Sequence, residues 1–137
     1  MGKIISYIYR NQRIFLDREL EPYGIGSGQF SFMMSLMVKE GGRQEDLARK
    51  YKMDKATAAW AIKKLEDAGY VCRQQDPEDK RAYRVFVTEK GRSMEEKMME
   101  IALKWDSIVL SGFSKEEKQL QAAFLERMGQ NVSGIFE

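Results

Sequence analysis

Histidine is absent from this chain of 137 residues, and cysteine occurs once, at Cys72. Without histidine there is no histidine-based catalytic triad and no histidine metal site. A lone cysteine excludes an intrachain disulfide and fits a reducing compartment, so a cytoplasmic setting is expected. Paired cysteines and a phosphate-cradling glycine loop are also missing. No apolar run approaches the ~20 residues that span a bilayer. The patch Ile4-Ile5-Ser6-Tyr7-Ile8-Tyr9 is too short for a secretory signal and runs into Arg10 and Arg13. Met1-Gly2-Lys3-Ile4-Ile5-Ser6 fits a myristoylation pattern, but the same residues continue a helical repeat. The expectation is therefore no enzyme, no cofactor, no metal and no membrane partner.

A hydrophobic content of 43% with 32% charged residues describes a folded domain rather than a disordered one. The net charge of +2 is uninformative as a total. Residues 43–92 carry thirteen Lys/Arg against nine Asp/Glu, whereas residues 93–137 carry five against eight. The positive excess lies on the middle segment and the C-terminal segment is acidic.

Periodicity divides the chain into helices over about residues 3–20, 28–39, 44–51, 55–68, 88–110 and from 115 onward. Pro22 and Gly24 end the first helix, whose apolar side is read from Ile4, Ile5, Tyr7, Ile8 and Phe15. Ser27 is the expected N-cap of the second. Asp54 caps the fourth, Gly69 closes it, and Ser114 with Glu117 forms a capping box. Strands are expected over 70–74 and 82–87. The predicted fold is mainly α with a small β-hairpin wing. A winged helix-turn-helix (28–91) is flanked by helices (1–21 and 92–137) with more apolar surface than one small core needs. That surplus points to an intertwined homodimer; the alternative is that the flanking helices wrap their own core.

At 100° per residue the fourth helix places Ala58, Ala61, Ile62 and Leu65 on one face. Ala56, Trp60, Lys63 and Asp67 fall opposite, flanked by Thr57, Ala59 and Lys64. A tryptophan on a polar face either folds over a neighbour or meets a partner, here base edges in a DNA groove. Lys55, Lys63 and Lys64 suit phosphate contacts, which orient without naming bases. The hairpin turns through Asp76-Pro77-Glu78-Asp79-Lys80-Arg81, read as a charged tip. Such a tip is either solvated or reaches a narrow minor groove through Lys80 and Arg81, with Arg73 and Arg84 assisting along the backbone. Cys72 reads as a small strand residue.

Four segments carry a family likeness: Asp54-Lys55-Ala56-Thr57, Lys64-Leu65-Glu66-Asp67-Ala68-Gly69-Tyr70-Val71, Asp76-Pro77-Glu78-Asp79-Lys80-Arg81-Ala82 and Thr88-Glu89-Lys90-Gly91. In order and spacing the chain resembles the multiple antibiotic resistance regulator (MarR) family, closely over residues 42–91. The resemblance implies a dimeric winged-helix transcription regulator on double-stranded DNA with a pseudo-palindromic operator. It implies a repressor released by a small aromatic effector lodged near Tyr7, Phe15, Phe30, Met33 and Met37, residues that otherwise read as core. It also implies that Asp79 orients Arg81 in the wing. Where the family commonly has a hydroxyl residue and then arginine, this chain has Ala59 and Trp60, which points to more apolar readout. Other readings are a winged helix used for protein–protein contact, or a small-molecule carrier without a DNA role.

Overall fold

A computed structural model describes residues 1–136; Glu137, the last residue of the expected 1–137 domain, lies outside the described residues. The order is α1 (Gly2–Leu20), a 3-10 turn (Glu21–Tyr23), α2 (Ser27–Val38), α3 (Gln44–Lys50) and α4 (Lys55–Asp67). Then come β1 (Val71–Gln75), β2 (Tyr83–Val87), α5 (Glu89–Ser93), α6 (Glu95–Val109) and α7 (Lys115–Val132). Two compact units divide the chain, Met1–Ala102 and Leu103–Glu137.

The first unit holds the core. Leu20, Phe32, Leu36, Ile62, Leu65, Met98 and Ile101 are buried together with Val85 from the hairpin. Each large side chain so buried contributes about 1.5–3 kcal/mol relative to exposure. The apolar face expected for α1 is only partly right. Leu16 and Leu20 enter the core and Phe15 packs against it, but Ile4, Ile5, Tyr7 and Ile8 lie exposed. The N-terminal half of α1 therefore presents apolar surface to solvent. No described residue of α7 is buried, and Leu120, Phe124, Leu125 and Val132 are all more than half exposed.

Two boundaries differ from the sequence reading for local reasons. Ser27 is the first residue of α2 rather than its cap. The cap position is Gly26, whose N–H donates to Gln29 Oε1, while the Ser27 N–H donates to Asp17 Oδ1 from α1 at 2.6 Å. A cap supplied from another helix is invisible to local spacing. The long helix expected over 88–110 is broken at Met94, whose N–H donates to the Gly91 carbonyl three residues back. Thr88 caps α5, its hydroxyl accepting from the Gly91 N–H. A Cβ on Gly91 would overlap the Tyr70 carbonyl, so α5 lies directly on the start of β1.

The hairpin is antiparallel, with Val71 opposite Val87 and Gln75 opposite Tyr83. A short third edge joins it where Arg43 bridges Arg84. Thus the segment entering α3 is tied to β2, and α3, α4 and the wing form one body. Gly69 ends α4 at φ +85°, the left-handed conformation that a side chain resists. Its N–H donates to the Glu66 carbonyl and the Tyr70 N–H to the Leu65 carbonyl, the paired bonds of a Schellman cap.

Candidate nucleic-acid interface

The start of α4 is set by Asp54. Its carboxylate accepts the Thr57 N–H at 2.8 Å and the Thr57 hydroxyl at 2.9 Å. The Thr57 backbone bond, then the hydroxyl, holds the Asp54 carboxyl below its ordinary value. Thr57, a candidate contact residue, thus uses its hydroxyl in the cap. Ala58, Ala61, Ile62 and Leu65 are buried as the phasing requires. Lys55, Ala56, Thr57, Trp60 and Lys63 are exposed on the other side, with Ala59 and Lys64 half-buried.

Trp60 is 63% exposed. Its ring carries Lys64 Nζ at 5.4 Å from the centroid, a cation–π contact one turn along the helix. Lys63 Nζ lies 3.1 Å from Asp67 Oδ1, an exposed i,i+4 pair of small energetic weight.

The wing loop is closed by a bond from the Asp76 N–H to the Ala82 carbonyl. Inside it the Glu78 N–H donates to Asp76 Oδ1, the Arg81 N–H to Asp79 Oδ1, and Gln75 Nε2 to the Lys80 carbonyl. Asp79 therefore shapes the turn mainly through the Arg81 backbone. The Arg81 guanidinium is 3.9 Å away with its side chain 98% exposed. Lys80 is exposed beside it.

The other two wing arginines are occupied. Arg73 pairs with Glu66 through two 3.3 Å bonds and lies over the Tyr83 ring. Arg84 donates to the Gly41 carbonyl at 2.8 Å and approaches Asp76 Oδ2 at 3.0 Å. Neither projects freely as Arg81 does. Asp76, read from the sequence as part of a charged tip, is 1% exposed. The Glu78 N–H, then Arg43 and Arg84, holds its carboxyl below the ordinary value against the cost of burial. Arg43 was not singled out in the sequence. It sits 33 residues from its partner, and no local spacing announces such a pairing.

A cleft and a groove border the start and outer face of α4. A cleft of about 390 Å³ runs between α3, the start of α4 and the wing, lined by Arg43, Gln44, Lys55, Asp79, Arg81 and Tyr83, among others. A groove of about 500 Å³ lies where α1, α2 and α4 meet, with Tyr9, Arg13, Phe30, Tyr51, Thr57 and Trp60 in its walls. Of the five residues expected around an effector, Phe30 lines this groove. Met33 is fully buried in the core, where an incoming ligand reaches it only by displacing packed side chains. Phe15 and Met37 are partly buried against that core, and Tyr7 is exposed. The sequence reading missed Tyr9, Arg13 and Tyr51; Tyr51 reaches the groove because it follows α3 directly. Among the described residues no helix is long and apolar enough to cross a membrane.

A capped helix with an outward polar face, set beside a hairpin whose tip carries exposed cations, defines a winged helix-turn-helix. Residues 25–83 match the MarR family. A MarR transcriptional regulator from Methanosarcina mazei Go1 superposes with a TM-score of 0.92 at 48% identity, over 95% of this chain and 94% of that one. The HTH-type transcriptional regulator YybA of Bacillus subtilis (strain 168) is 33% identical over 119 residues, covering 87% of this chain and 79% of that protein. A MarR family regulator from Listeria monocytogenes, solved in complex with a 26mer DNA, aligns with a TM-score of 0.88 at 26% identity, over 96% of this chain and 88% of that one. The chain belongs to the MarR family and is a winged helix-turn-helix transcriptional regulator.

Proposed function

We propose that this regulator is a homodimeric, sequence-specific repressor that reads double-stranded DNA through the exposed face of α4 and the wing tip. The observation that carries the reading is the cleft shared by Lys55 and Arg81, one at the start of α4 and one on the wing. A sugar-phosphate strand lying there meets cations from both sides while the α4 face beyond it enters the major groove. Lys55, Lys63 and Arg81 neutralise phosphate, and Trp60 with Ala56 and Ala59 supplies apolar contact to base edges. The exposed apolar side chains of α1, and separately those of α6 and α7, supply the surface a dimer buries. The α1, α6 and α7 ends are thus the dimerisation helices around the 28–91 core, and the site of action is the cytoplasm.

The groove beside Trp60 supports the effector reading. Aromatic walls with Arg13 at hand suit a small aromatic anion. Because Thr57 and Trp60 belong both to the groove and to the α4 face, a ligand there holds α4 in an arrangement that DNA does not share. Two experiments test the proposal. Selection from random duplexes is expected to return an inverted repeat with half-sites about one helical turn, ~34 Å, apart. Aromatic acids are then screened for release of that duplex. Recovery of no enriched sequence contradicts the first part. Binding of an acid without any change in DNA affinity contradicts the second.

A further inference from the structure

We propose that Asp76 is a positioning residue for DNA binding: its buried carboxylate joins Arg43 and Arg84 and so fixes the angle at which the wing presents Arg81. The inference rests on the reading that the wing meets DNA.

Arg43 and Arg84 are direct neighbours across the short antiparallel bridge that ties the α3 entry to β2. Like charges in that position repel. Asp76 Oδ2 lies 2.9 Å from Arg43 Nε and 3.0 Å from Arg84 Nε, so one oxygen offsets both. The other oxygen accepts the Glu78 N–H at 2.8 Å. The carboxylate is wholly shielded, its side chain 0% exposed. Around it the backbone is already paired: the Gly41 N–H donates to the Val85 carbonyl at 2.7 Å and the Val85 N–H to the Gly42 carbonyl at 3.0 Å. Asp76 also closes the wing loop through its own N–H. One residue therefore connects three segments: the entry to α3, strand β2 and the loop that carries Arg81.

The consequence runs against simple charge counting. Removing an acidic residue from a DNA-binding surface ordinarily strengthens binding. Here the carboxylate is hidden from DNA, and its removal leaves two arginines facing each other and frees the loop. Arg81 then has to be ordered as DNA binds, which costs affinity. Arg81 also contributes less to phosphate neutralisation, so the salt dependence flattens although no cation has been removed.

The test is a double-mutant cycle on the full chain with a selected duplex across a salt series: Asp76→Asn, Arg81→Ala and both together. Asp76→Asn is expected to weaken binding about tenfold in the wild-type background and to lower the log–log salt slope by up to about one unit. In the Arg81→Ala background it is expected to cost almost nothing. Simple loss of folded protein gives equal losses in both backgrounds and an unchanged slope, which overturns the proposal. Stronger binding by Asp76→Asn overturns it as well. If Arg81→Ala alone changes nothing, the wing reading fails and takes this inference with it. Should Asp76→Asn not fold, Asp76→Glu, which keeps the charge but moves it by one methylene, is read through the same cycle: a loss confined to the background that retains Arg81 supports the proposal, and equal losses in both backgrounds overturn it.

Discussion

Lys64 Nζ sits 5.4 Å from the centroid of the Trp60 ring, one turn further along α4. The lysine stem and charge brace an indole that would otherwise rotate, at a gain of about 0.5–1 kcal/mol for an exposed pair. A braced ring is a better base contact than a free one, because less side-chain freedom is lost when DNA arrives.

Trp60→Ala should cost about 1–3 kcal/mol on a selected operator and much less on scrambled duplex. Lys63→Ala should weaken both by similar factors and lower the salt slope, whereas Trp60→Ala should leave the slope alone. Fluorescence anisotropy with both duplexes over a salt series checks this. Equal losses on both duplexes for Trp60→Ala, or a sharp fall in melting temperature, assign Trp60 to packing instead.

Arg81→Ala should weaken binding across most sequences and lower the salt slope by about one. The fold should survive, since the side chain is 98% exposed. An unchanged slope together with unchanged affinity means that the wing tip stays in solvent.

Gly91→Ala should destabilise the protein by about 1–3 kcal/mol, because the added methyl meets the Tyr70 carbonyl and Val87 Cγ1. Thermal melting measures it. A variant as stable as the wild type would show that α5 shifts away from β1 at no cost.

Acid should unfold the protein through specific carboxylates. Asp17, Asp54 and Asp76 are all held below their ordinary values in the fold. A group with a depressed folded pKa contributes stability above its unfolded value, about 3.9 for Asp, and loses that contribution as pH falls through the folded value. Melting temperature should be flat with respect to these groups from neutrality to about pH 5 and decline below about pH 4. Asp54→Asn should make the acid decline shallower. A melting temperature that rises on acidification contradicts this assignment.

Dimerisation should show in sedimentation at micromolar concentration, where the wild type runs as a dimer. Ile8→Lys and Phe124→Lys, placed at exposed apolar positions, should shift it toward monomer and weaken operator binding together. A wild-type monomer that binds the operator as one unit rules out the paired half-site arrangement.

The local features of this fold were plain in the sequence. The Asp54 cap, the Gly69 stop and the Ser114–Glu117 capping box each depend on residues within a few positions, and each stands in the structure. The buried and open faces of α4 follow from a 3.6-residue period, so Trp60 was legible as an outward residue. What was hidden is long-range. Asp76 looks like one more charge in an acidic-basic run until the chain brings Arg43 and Arg84 to it. The groove beside Trp60 draws Tyr9 and Arg13 from α1, and no periodicity links that helix to α4. Met33 shows the converse: an apolar side chain suits a pocket or a core in sequence, and packing buries it in the core.

Sequence-specific recognition of double-stranded DNA is measured by the affinity ratio between a selected duplex and its scrambled counterpart at physiological salt. A ratio of at least about 10³ is expected, reduced by Trp60→Ala and left nearly unchanged by Lys63→Ala. Equal affinity of the wild type for both duplexes would contradict it.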